Sequence, residues 1–224
     1  MAGKNIGGTA EESAMKREFT CPRCGGDVAA PNAWSSAWRC AVHGDVQPRR
    51  VRSPSTEGLT ALLQVIRVPA WLPWPLPTGW VVSGFADAGD ERTGSRACAV
   101  ALSGPAPLGG PGEMVVVAEE PGIGLGAWYA GLAGPDPGAV FDGTPPHACV
   151  RYQGHEWPLW HIGTEPDRAA YAGEAMGTWL WAVLWPAAAG TLVIEDLELR
   201  DLRDTDQDLD LPFGAPSPRL ESAE

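Results

Sequence analysis

The chain has 224 residues with ordinary apolar content, so it can bury a core without disulfide staples and is not a low-complexity or fibrous sequence. Its formal net charge of −12 is uneven: residues 1–52 carry eight basic and five acidic residues, and residues 53–224 carry eight and twenty-three. An acidic main body repels phosphate backbones, which excludes it as a nucleic-acid-binding surface. The 28 Gly and 22 Pro favour turns and short strands over long helices.

Residues 1–18 are polar, lack an apolar signal segment and predict a disordered N-terminus. Five cysteines, three of them at metal-ligand spacing, fit a reducing cytoplasm better than a disulfide framework.

Residues 19–47 predict a zinc ribbon. Cys21-Pro-Arg-Cys24 is followed by Gly25-Gly26, and Cys40-Ala-Val-His43 by Gly44. A two-residue gap lets one tight turn present two ligands, and glycine suits the left-handed backbone that ends it. Cys21, Cys24, Cys40 and His43 are the expected ligands of one zinc ion. Four protein ligands leave no position for water, so the site is expected to be structural. A segment this short cannot build a core alone, and metal binding would supply its folding free energy. Trp34 and Trp38 lie between the two ligand pairs. They are expected to pack against the body or, with Arg23, Arg39, Arg49, Arg50 and Arg52, to touch nucleic acid; the small positive excess disfavours the second reading.

Pro48–Ser55 reads as an Arg-rich linker bounded by proline. Thr56 is a candidate N-cap for a short helix carrying Leu59, Leu62, Leu63 and Ile66 and ended by Pro69. Pro69–Pro77 excludes helix and central strand and predicts an extended, polyproline-like segment, with Trp71 and Trp74 pinned to the core. Predicted strands follow at Trp80–Phe85, Arg96–Leu102, Glu113–Ala118, Ala148–Gln153, Pro158–Ile162, Thr178–Trp185 and Thr191–Leu202. Residues 56–203 are therefore expected to form a mainly antiparallel β-sheet domain with few short helices, an α+β fold. Ala175–Ile194 carries no charge over twenty residues. Its internal Gly177, Pro186 and Gly190 and its alternating Trp179, Trp181, Val183 and Trp185 predict a core hairpin rather than a membrane span. Residues 204–224, with alternating Asp and three Pro, predict a solvated acidic tail.

Other constellations carry weaker chemistry. Gly122-Ile-Gly-Leu-Gly126 is not followed by a long helix, so a turn is expected rather than a phosphate loop. His147, Cys149, His155 and His161 match no specific ligand spacing, and no orienting acid is identified for a Cys–His nucleophile. Glu119 and Glu120 should point to opposite faces of a strand.

The motifs together resemble an uncharacterised family of actinobacterial, Streptomyces-type proteins. They are Cys21-Pro-Arg-Cys24-Gly-Gly, Cys40 to His43-Gly, and Trp71-Leu-Pro-Trp-Pro-Leu-Pro77 with Gly79-Trp80. Gly124-Leu-Gly126, Pro158-Leu-Trp-His161 and Trp179-Leu-Trp181 complete the set. The resemblance spans roughly residues 19–220. It implies a cytoplasmic protein and carries no activity or catalytic residues.

The expected function is that of a non-enzymatic, zinc-containing binding or regulatory protein whose ribbon meets a protein partner. The alternatives are an enzyme or sensor for a small molecule, using the Gly-rich loops with Glu119 and Glu120, and nucleic-acid contact through the ribbon.

Overall fold

The computed structural model describes residues 19–90, 92–138, 144–163, 165–194, 197–204 and 210–220. The disordered N-terminus expected over residues 1–18 lies outside them, as do parts of the expected tail.

The chain opens with three short strands, β1 (Val28–Ala29), β2 (Trp38–Cys40) and β3 (Gly44–Val46), which form an antiparallel sheet of their own. Cys21, Val28 and Cys40 are its only fully buried apolar side chains among the described residues, so apolar burial alone gives it little stability.

The expected linker is instead a strand. β4 (Arg49–Arg52) pairs antiparallel with β6, which is Val81–Asp90. Arginine content misled the reading because long aliphatic stems pack well under a charged tip. Arg49 lies over the Trp128 ring and Arg50 over Phe19, while Arg52 reaches Asp87 at 2.6 Å. Helix α1 (Thr56–Leu63) follows, with Ser55 rather than Thr56 as its N-cap; Ser55 Oγ accepts from Gly58 N at 3.1 Å. The proline-rich segment contributes β5 (Trp71–Pro73), an edge strand with Trp71 buried and Trp74 packed against the core.

β6, β7 (Gly94–Pro105) and β8 (Pro111–Glu119) form a long meander. A six-residue helix, α2 (Leu125–Ala130), follows β8. β9 (Ala148–Tyr152), β10 (His155–Ile162), β11 (Ala169–Ala175) and β12 (Thr178–Trp185) complete the antiparallel part, with β12 returning to pair with β8. β11 went unrecognised because Ala and Gly dominate it and β-branched residues are absent.

The strand expected over Thr191–Leu202 is corrected. Ala187–Gly190 is a 3-10 turn, Thr191–Ile194 the short helix α3, and only β13 (Leu197–Asp201) is extended. β13 runs parallel to β9 and antiparallel to β5. The sheet order is β4-β6-β7-β8-β12-β11-β10-β9-β13-β5. β5 also contacts β7 and β8, so the sheet rolls around one of its faces.

Both faces are buried, which explains the near-continuous apolar runs of the central strands. Met114, Val116 and Ala118 of β8, with Leu180 and Leu184 of β12, face the inner core with Leu62, Trp71 and Leu199. Val115, Val117, Trp181, Val183 and Trp185 face the outer core, under α2 and Leu220. The alternating Ala97, Ala99 and Ala101 of β7 leave room on that outer face.

The tail is also corrected. Leu211, Ser217 and Leu220 are buried, and the backbone of residues 212–217 bonds to Val82 and Ser83 of β6. Its Asp and Pro content hid these few apolar anchors. Among the described residues no helix is long and apolar enough to cross a membrane.

Candidate metal centre

Cys21 and Cys24 sit on a tight turn closed by Cys21 N to Gly26 O at 2.7 Å and Gly25 N to Cys21 O at 2.9 Å. Cys40 ends β2 and pairs with Gly44 at the start of β3, so the intervening turn brings His43 back beside it. Gly25 and Gly44 both take φ +69°, the left-handed region that lets each turn end without a β-carbon clash.

Cys21 Sγ lies 3.6 Å from His43 Nδ1, Cys24 Sγ 3.7 Å from Cys40 Sγ, and Cys40 Sγ 3.7 Å from His43 Nδ1. All four ligand atoms fall within 4.8 Å of one another and can hold a metal ion. Burial pushes the Cys21 thiol up to about 12. Burial acts the same way on Cys40, but the backbone N–H groups of His43 and Val42 outweigh it and hold this thiol at about 6.

The small sheet is docked on the large one. Thr20 and Arg49 exchange backbone hydrogen bonds at 2.9 and 2.7 Å. Arg23, inside the first Cys turn, donates to the carbonyls of Gly122 and Ile123. Arg92 donates to Ser36 O at 2.7 Å.

A family model described as a Family of unknown function (DUF6758) matches residues 15–220. The chain belongs to that family. No curated protein and no solved structure matches. The family brings no activity, so the chemistry of its member must be read from the side chains.

Those side chains separate the other candidates. Glu119 is fully buried and accepts from Leu125 N at 2.7 Å and Gly126 N at 3.1 Å, capping α2; Glu120 pairs with Arg96. The two carboxylates do not converge. The glycines of the Gly-rich loop serve packing. A β-carbon on Gly126 would lie 2.2 Å from Trp181, and Gly124 takes φ +89°. The His147 and His161 rings meet edge to face on the surface, ring centres 6.3 Å apart; His161 N donates to His147 Nδ1. His155 meets the Gln153 carbonyl instead, and Cys149 is half-buried on β9.

Three of the arginines proposed for nucleic acid are committed elsewhere. Arg39 pairs with Asp45 at 3.0 Å, Arg49 is 1% exposed, and Arg52 pairs with Asp87. Trp38 packs on Phe19, with ring centres 4.8 Å apart, whereas Trp34 is 96% exposed. Sequence reasoning missed the joining of Arg23, Arg92 and Arg96 along one cleft. Sixty-nine positions separate the first two, and no local motif signals the contact.

Proposed function

We propose that this chain is a non-enzymatic, zinc-containing binding protein acting in an actinobacterial cytoplasm, and that its zinc ribbon presents a surface to a protein partner. The ligand spacing carries the metal part. A tetrahedral centre with Zn–S of about 2.3 Å and Zn–N of about 2.0–2.1 Å has S–S edges of about 3.8 Å and S–N edges of about 3.6 Å. The 3.6 and 3.7 Å separations agree with that geometry. Three sulfurs and one imidazole suit zinc, and a closed four-ligand set supports a structural role. Five unpaired cysteines support a reducing compartment.

The partner role rests on Trp34, 96% exposed in the loop between β1 and β2; Val42, in the turn between β2 and β3, is also exposed. A fully exposed Trp has no packing reason to be there, and Trp is a frequent anchor residue at protein interfaces. Glu119 and Glu120 have separate partners, which favours a binding role over an acid/base pair.

The purified chain is expected to hold about one zinc, and Cys24→Ser to lose it. Stoichiometric metal in that variant would falsify the assignment. Affinity capture with the intact chain and with Trp34→Ser tests the partner role. Proteins retained only by the intact chain support it, and an identical retained set overturns it.

A further inference from the structure

The docking of the small sheet on the large one encloses a cleft of about 330 Å³. Arg23, Trp38 and Gln47 line one side; Arg92, Arg96 and the Gly122–Ile123 turn line the other. This volume is at the low end for small-molecule sites, which begin at about 300 Å³.

Three arginines line this cleft in a chain of net charge −12. Asp45 and Asp90 also line the cleft, but both are committed. Asp45 pairs with Arg39. Asp90 Oδ1 receives the backbone N–H groups of Arg92 at 2.9 Å and Thr93 at 2.8 Å, and the Thr93 hydroxyl at 3.0 Å.

The arginines retain spare donors. Arg23 makes no ion pair among the described residues; its Nε and Nη2 bond only to backbone carbonyls. The Arg92 side chain is 63% exposed and approaches Asp90 at only 3.5 Å. Arg96 holds Glu120 through Nε and Nη2. In all three, Nη1 has no hydrogen-bond partner among the described residues. The free guanidinium edges match the geometry of phosphate and carboxylate.

We propose that this cleft binds a small oxyanion-bearing molecule, its phosphate or carboxylate group set among Arg23, Arg92 and Arg96. Trp38 forms the wall beside it. Arg23 lies between the ligands Cys21 and Cys24, so the cleft is complete only while the small sheet keeps its fold.

Titration calorimetry of the full chain with inorganic phosphate and with malonate, against chloride at matched ionic strength, tests this. At least one is expected to bind with a Kd of about 1 mM or tighter. Arg92→Gln and Arg96→Gln are each expected to weaken it about tenfold, the size of a lost charge-assisted hydrogen bond. Preference for phosphate or for malonate identifies the group recognised, and either supports the site. No heat above chloride, or unchanged binding in both variants, overturns it. Metal content measured on the same samples separates the two readings: absent binding with the metal retained counts against the cleft alone. Arg92 is exposed, so its variant is expected to fold.

Discussion

Arg23 and Gly124 meet across the boundary between the two sheets: a β-carbon on Gly124 would lie 2.9 Å from Arg23 Cγ. The missing side chain is what lets the first Cys turn settle on the loop before α2. Gly124→Ala adds both that contact and strain at φ +89°. Its expected cost is on the order of 1–3 kcal/mol by denaturant unfolding. Because the displaced group is in the Cys21–Cys24 turn, the variant should also release metal to a chelator faster. Release at the parent rate would show that the contact does not support the metal turn.

Removing residues 1–55 deletes β4 along with the small three-stranded sheet. The edge of β6 would lose its partner, and Trp128 would lose the buried guanidinium 4.3 Å from its ring. A truncation beginning at Thr56 is expected to aggregate or to melt well below the full chain. EDTA should lower the melting temperature of the full chain, because docking couples metal binding to the large sheet. A soluble truncation with an unshifted transition would make the two parts independent.

Trp181 is fully buried in the outer core, against Gly126. Trp181→Ala is expected to cost on the order of 3–5 kcal/mol. Chemical denaturation measures this, and a loss below about 1 kcal/mol would contradict the packing described.

Burial raises the Glu119 carboxyl from an ordinary 4.5 to about 7, although the N–H groups of Leu125 and Gly126 favour its charged form. Between these values the folded chain binds a proton that the unfolded chain has lost. The resulting stability is fully present below about 4.5, falls as pH rises through the window, and is gone above about 7. The total is roughly 3 kcal/mol at most. Glu119→Gln cannot titrate, so the stability of the parent relative to this variant should be greater at pH 5 than at pH 8. An equal difference at the two pH values would remove the linkage.

The cluster of Cys21, Cys24, Cys40 and His43 was legible in the sequence because each pair is set by one tight turn, and a turn is a local object. β8 and β12 were legible because burial on both faces leaves an unbroken apolar run. β4 was not, because its Arg49 is buried by tertiary packing that no linear pattern announces. The anchors Leu211 and Leu220 were lost among Asp and Pro. The cleft was invisible because Arg23, Arg92 and Arg96 come together only when one sheet docks on another.

The ten-stranded sheet has two terminal strands, and neither is suited to accept another. β4 carries three arginines in four residues and has Thr20 bonded along its outer side. β5 ends in Pro73 and continues into Pro75 and Pro77, positions that have no backbone donor. Charged and proline-bearing margins are what keep β-proteins from stacking end to end. They also close off recognition by strand addition, in which an extended peptide borrows main-chain hydrogen bonds. Whatever meets the large sheet at these two margins must therefore read side chains rather than lengthen its ladder.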